Sequence, residues 1–309
     1  MESLPARPVA PVPIVSRQRL LAHLAMLLFA ALVGGSFTFG AMAVPFLAPA
    51  PLNAVRFILA AVLMGAFAFG VSRQRFAWPA APWRFAVMGF LMAIYFVTMF
   101  VALQITLPVA TSAVFTLIPL MTAGIALFLV KQRSGPLVLL SLLLAGLGSI
   151  WVIFRGDVEA ILAFDIGRGE LIFFFGCLAY AIYTPLLRRF SHGEPATVLS
   201  FWTLVGSAIC ITAWALPEMF STDWTALPPL VWWVILYLAV GSTAICFFLI
   251  QFAARHLPAA KVIAYGYLTP AFVIVLEGLA GHGWTSLSVA TGAAVTILGL
   301  VVLAALPDK

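Results

Sequence analysis

The chain has 309 residues, 64% of them hydrophobic and only 8% charged. A soluble domain carries about a quarter charged residues, so this composition cannot cover a core with a water-facing surface, and the solvent is lipid. The net charge of +6 therefore bears on orientation in a membrane, and nucleic acid is not an expected partner.

Residues 1–19 are proline-rich and carry Arg7, Arg17 and Arg19. They are too short and too polar to span, and they read as a disordered cytoplasmic tail. The apolar run from Leu20 has a full span's length, longer than a signal-peptide core, so no cleavable leader is expected. From there, apolar runs predict ten helices at 20–44, 53–71, 84–103, 109–129, 136–154, 169–188, 197–216, 230–250, 259–279 and 287–306. The longest polar linker, 155–168, leaves five helices on each side of it, 20–154 and 169–306. Cys177, Cys210 and Cys246 fall inside spans at unrelated spacings and read as inert small hydrophobes.

Side A is the side on which the chain begins. It collects Arg7, Arg17, Arg19, Arg73, Arg75, Arg84, Lys131, Arg133, Arg188, Arg189, Arg255, Lys261 and Lys309, while side B collects Arg155 and Arg168. Basic loops stay in the cytoplasm, which predicts both termini inside, in a bacterial inner membrane. Trp78 and Trp83 near side A, and Trp151, Trp214, Trp224, Trp232, Trp233 and Trp284 near side B, read as interfacial anchors.

Five helices per half force the second half to enter the membrane upside down relative to the first. The halves echo one another: LPVATSAVFTLIP (107–119) returns within LPAAKVIAYGYLTPAFVIVLE (257–277), and LAGLGSIWV (144–152) in VTILGLVVL (295–303). Inverted repeats place a substrate site near the midplane between the halves, and transport follows by alternating access. Pro119 and Pro270 each deprive the residue four earlier of a helical N–H, which makes them, with Gly266, the expected hinges.

The chain resembles the drug/metabolite transporter superfamily in its ten-helix form with two EamA-type repeats. The pieces that carry the resemblance are GGSFTFG (34–40), VRFILAA (55–61), the paired Leu-Pro…Pro helices, GELIFFFGCLAYAIY (169–183) and the glycine-containing fifth and tenth helices. Its overall look is most similar to bacterial amino-acid exporters of the YddG type. The resemblance implies an exporter of small molecules that uses no cofactor. The family commonly ends its fourth and ninth helices with Gly-Glu. Here those places hold Val130-Lys131-Gln132 and Gly281-His282, and Glu277 sits earlier.

The tyrosines are the candidates for the substrate wall. Tyr180 and Tyr183 share one face of helix six, and on the repeat they oppose Val33 and Ser36 of helix one. Their alternative role is to pack into the groove that Gly34 and Gly35 open. Tyr95 and Tyr237 complete the set. Tyr265 and Tyr267 point apart on a regular helix, and Tyr267 lies nearer the Gly266 and Pro270 face. Ser36 and Thr269 are lesser candidates, because such hydroxyls usually bond their own backbone.

Two ionisable residues are embedded by sequence, Arg56 and Glu277, both toward side B. They are expected to pair or to form part of an outer gate. The alternatives are a snorkelling Arg56 and a proton-coupling Glu277. No ligand role is assigned to His23, His192, His256 or His282. Gln104 and Gln251 are read as satisfying helix ends. Whether the glycine-containing helices five and ten pack together or form a face between copies stays open.

No enzyme signature is present: there is no HExxH, Walker loop or GxSxG. The expected protein is an all-α polytopic transporter exporting small metabolites, foremost aromatic or other neutral amino acids. Its expected partners are the bilayer and a small-molecule substrate. A multidrug exporter of the same fold, an intramembrane enzyme and a lipid scramblase are the competing readings.

Overall fold

The structure, a computed structural model, describes residues 17–129, 135–254, 256–257 and 259–305. Residues 1–16 with Arg7, as well as Lys131, Arg133, Arg255, Lys309 and the side chains of Arg188 and Gln251, lie outside the described residues. The helices are α1 (Arg17–Ala43), α2 (Pro49–Val71), α3 (Trp83–Leu103), α4 (Pro108–Leu129) and α5 (Pro136–Ile153), then α6 (Arg168–Phe190), α7 (Ala196–Ser221) and α8 (Pro229–Ala254). Next comes α9, made of Ala259–Ala264, a 3-10 turn at Tyr265–Leu268 and Thr269–Leu279, and last α10 (Leu287–Ala305). Among the described residues nine helices are long and apolar enough to cross a membrane, with a tenth, shorter apolar stretch at Leu287–Leu303.

Three boundaries differ from expectation. α1 begins at Arg17, so Arg17 and Arg19 are helical and do not belong to the tail. α2 begins at Pro49, because Pro49 and Pro51 occupy a first turn in which backbone N–H groups have no helical partner to lose. That early start sets Arg56 two turns inside, 1% exposed, and rules out snorkelling. The 155–168 linker contains a short helix, Val158–Ala163, capped by the Asp157 carboxylate, which accepts from the amides of Glu159 and Ala160.

The helix pairings respect an exchange of the first five helices with the last five. α5 packs along α10 and α2 along α7; α3 lies on α6 as α8 lies on α1, and α4 lies on α6 as α9 lies on α1. This is the packing of two five-helix repeats. Helices of one lipid-embedded bundle gain little from the hydrophobic effect against each other, so close approach of small residues does the holding. A Cβ on Gly148 would lie 2.7 Å from the Gly292 carbonyl oxygen, and one on Gly299 would lie 2.8 Å from Ala145 Cβ. Ser141 Oγ donates to the Gly299 carbonyl across the same seam. The small residues of α5 and α10 are thus spent inside the chain.

The two helices of the paired Leu-Pro…Pro segments break where expected. In α4, Thr116 and Leu117 bond back only three residues before Ile118–Leu129 resumes. In α9, the 3-10 turn directly precedes Thr269-Pro270. Each break is stapled to its neighbour by a hydroxyl: Thr116 to Ser149 of α5, and Thr296 of α10 to the Tyr267 carbonyl.

At side A, Arg84 is buried in the first turn of α3. Its guanidinium meets the Phe190 carbonyl and lies 2.9 Å from Glu194, tying α3 to the α6–α7 loop. Partial burial acts to raise the Glu194 carboxyl. The His192 amide, its own amide and Arg84 outweigh that, and the group sits below its ordinary value of 4.5. A depressed carboxyl stabilises the fold above its unfolded pKa and loses that contribution as pH falls through the folded value. The melting temperature of Glu194→Gln is therefore expected to lie below wild type at neutral pH and to converge with it as the detergent solution is acidified below about pH 4.5. A gap that does not narrow as the pH falls would contradict the assignment.

Candidate functional site

The buried core is unevenly distributed in depth. Its largest cluster gathers Phe37, Leu47, Leu52, Phe100, Leu103 and Phe154, all at the side-B ends of their segments. Two adjoining chambers take up the midplane and the side-A half. The first, of about 210 Å³, is lined by residues of α1, α2, α3, α4, α6, α7 and α8. The second, of about 420 Å³, lies between α1, α4, α5, α6, α8, α9 and α10. Phe29, Phe115, Tyr180 and Ile250 line both.

One wall of the first chamber is a run of rings. Tyr183 stands 5.6 Å from Tyr180, Tyr180 stands 4.9 Å from Tyr95, and Tyr95 stands 4.7 Å from Phe96, centroid to centroid. The tilted and edge-on geometries, at these centroid distances, are those of aromatic contact. The run continues to a cation, since the Arg56 guanidinium carbon lies 4.4 Å from the Phe96 centroid and 5.5 Å from that of Phe57.

Arg56 is held from the opposite side by hydroxyls. Nη2 donates to Ser242 Oγ at 3.0 Å and to Thr243 Oγ1 at 3.2 Å, and Nε also reaches Thr243 Oγ1. These two residues belong to a π-helical turn, Val240–Ile245, in α8. The wider turn carries Thr243 round to donate to the carbonyl five residues back, Leu238, while its oxygen accepts from Arg56. Such turns interrupt the regular ladder and are common at working sites.

Of the residues expected from the sequence, Ser36, Tyr95, Tyr180, Tyr183 and Arg56 line the first chamber, and Tyr267, Gly266 and Pro119 the second. Ser36 donates to the Val33 carbonyl, the local bond expected of a serine in such a helix. Pro270 is buried behind the 3-10 turn. That turn breaks the regular spacing of Tyr265 and Tyr267. Tyr265 turns to His23 at 2.6 Å, and Tyr267 is fully buried with a hydroxyl that has no partner among the described residues.

Two expectations are corrected. Arg56 and Glu277 do not pair: Arg56 takes the α8 hydroxyls, and Glu277 lies 3.0 Å from His282 just beyond the side-B end of α9. The reason is the helix packing: α2 lies against α7 and α8, while α9 lies against α1, α4 and α10, so the two groups are presented to different neighbours. Tyr237 is not brought to either chamber. It fills the groove at Gly35, donates to the Leu32 carbonyl at 2.9 Å and stacks on Trp233. The groove thus receives an aromatic ring as foreseen, but from α8 and not from Tyr180 or Tyr183.

Sequence reasoning missed the hydroxyl side of the cavity, Ser200, Thr203 and Ser207 of α7 with Ser242 and Thr243 of α8. The signal was available as serines and threonines at helical spacing within an otherwise apolar span. The π turn that aims the last two had no such signal.

The geometry defines a multi-pass helical membrane protein with an internal aromatic cavity between two repeats. Residues 20–154 and 167–305 each match the EamA-like transporter family, and the chain belongs to that family. It is 26% identical over 284 residues to YyaM, an uncharacterized transporter of Bacillus subtilis, covering 90% of this chain and 92% of that protein. It is also 26% identical over 287 residues to an uncharacterized transporter of Archaeoglobus fulgidus, covering 92% and 96%. A solved crystal structure shares the fold with a TM-score of 0.63 at 20% identity, over 93% of this chain and 96% of the other.

Proposed function

We propose that this EamA-family transporter exports small metabolites from the cytoplasm across the inner membrane by alternating access, with aromatic and other neutral amino acids as the leading cargo. The observation that carries the reading is the ring-lined chamber of Tyr95, Tyr180 and Tyr183 at mid-depth between the repeats, reaching toward side A while side B is packed shut. The bias of basic residues makes side A cytoplasmic, so cargo enters from the cell interior. Rocking of one repeat against the other about the breaks at Pro119 and Pro270 would transfer the opening to side B. A likeness in length and aromatic content to YddG-type exporters supports the amino-acid assignment. Proton coupling through Glu277 has weaker support, since that carboxylate lies outside both chambers and beside His282.

A multidrug exporter is the second reading, supported by the larger and mostly apolar second chamber. Arg56 argues against lipophilic cations as its cargo, because among the described lining residues no carboxylate offsets it. Purified protein in liposomes, given a labelled amino-acid panel alongside lipophilic cations, separates the two. Uptake of aromatic amino acids is the expected result. Flux of the cations alone would overturn the amino-acid reading, and indifference to an imposed proton gradient would remove Glu277 from coupling.

A further inference from the structure

We infer that Arg56, with Ser242 and Thr243, is the subsite that recognises a carboxylate of the cargo, and that this carboxylate, more than any ammonium group, is what the cavity selects. The inference rests on the transporter reading and sharpens the class of cargo.

A guanidinium 1% exposed in a lipid-embedded bundle is costly unless a charge or several good acceptors meet it. Here the acceptors are two neutral hydroxyls, at 3.0 and 3.2 Å from Nη2. Nη1 has no partner among the described residues. Among the described residues no carboxylate acts on Arg56, and Glu277 is engaged by His282. The cation therefore borders the chamber with donor capacity to spare and, among the described residues, without a counter-charge. A planar guanidinium with free donors is matched by the two oxygens of a carboxylate, which it can hold bidentately. Phe96 and Phe57 cover the guanidinium and keep the local dielectric low, which strengthens the attraction for an entering anion.

Among the described residues nothing equivalent is built for an ammonium group. The described lining residues of both chambers include no Asp or Glu, and the hydroxyls and ring faces that remain are weak partners for a cation. An apolar or aromatic body packs on Tyr180 while its acid end reaches Arg56. Deaminated acids are therefore expected to be accepted as well as the corresponding amino acids.

The test uses the full-length protein with three ligands of one carbon skeleton: phenylalanine, 3-phenylpropionate and phenethylamine. Binding is read by ligand-induced thermal shift in detergent and by uptake into liposomes. Wild type is expected to take the first two within a few-fold of each other and to reject the amine. Arg56→Gln is expected to lose about 100-fold in affinity for both carboxylates, the scale of losing a desolvated charge-assisted pair, and Arg56→Lys to recover part of it. Monodispersity and the ligand-free melting temperature of each variant report folding. If Arg56→Gln fails to fold, the double variant Ser242→Ala/Thr243→Ala, which keeps the cation but frees its tether, should weaken the acids selectively.

Uptake of the amine equal to that of the acids, or an unchanged preference in folded Arg56→Gln, would overturn the subsite while leaving the transporter reading intact. Binding of none of the three by folded wild type would count against the amino-acid reading itself. Repetition with chloride exchanged for sulfate checks the other source of an anion: a shift produced by chloride alone, without the organic acids, would also overturn the carboxylate assignment.

Discussion

Gly89→Leu is expected to abolish assembly of the protein. At Gly89, α3 crosses α7 backbone against backbone. A Cβ there would lie 2.6 Å from the Gly206 carbonyl oxygen and from the Ser207 nitrogen, and closer still to the Gly206 carbonyl carbon. The contact is reciprocal, because a Cβ on Gly206 would overlap the Phe85 carbonyl group. Side-chain neighbours can rotate away, but main-chain atoms of two helices cannot, so the helices must separate along their length. Separation would undo the α3–α7 seam and the adjoining cluster of Phe85, Met88, Leu199 and Trp202. Even Gly89→Ala is expected to cost about 3 kcal/mol, the upper range for overpacking. The measurement is melting temperature and monodispersity in detergent, with Gly124→Ala beside it. A Cβ on Gly124 meets nothing within 4 Å, so that change is expected to be neutral. Wild-type melting of Gly89→Leu would show that this seam is not what it looks like.

Tyr180→Ala is expected to raise the KM for uptake roughly 30-fold, the size of losing a central aromatic anchor, with folding retained. Tyr180 is one of four residues common to the two chambers, and its ring lies between those of Tyr95 and Tyr183. Truncation therefore removes the middle of the wall and merges the chambers. Tyr180→Phe keeps the ring and is expected to behave within a few-fold of wild type. The comparator is Tyr237→Phe, whose hydroxyl serves the Leu32 carbonyl away from the cavity, so its loss is expected to lower the melting temperature and leave KM unchanged. A fall in uptake by Tyr180→Ala explained wholly by lost protein in the membrane would remove Tyr180 from the site.

The membrane fold was legible because its causes are additive over long windows. Some twenty apolar residues per span, a proline at the same place in each repeat and basic loops on alternate connections need no contact to be seen. Side-chain roles were legible only where direction follows from helical spacing. Tyr180 and Tyr183 share a face, and both reach the cavity. Tyr237 did not follow, because the choice between a cavity and the groove at Gly35 depends on which helix crosses there. Arg84 counts by sequence among the side-A cations, yet it is buried, since the loop that brings the Phe190 carbonyl and Glu194 to it is non-local.

What the sequence by itself determined is a lipid-embedded chain of paired five-helix repeats, bent at Pro119 and Pro270, of a transporter family. Hydropathy, charge and proline chemistry act locally and accumulate. What only the tertiary structure decided is where the two embedded charges go. The first-turn prolines of α2 set Arg56 deep, the π turn of α8 turns Ser242 and Thr243 onto it, and the packing of α9 on α1, α4 and α10, away from α2, leaves Glu277 to His282. Each of those outcomes depends on how one helix end or turn meets another helix, a relation that no window of sequence contains.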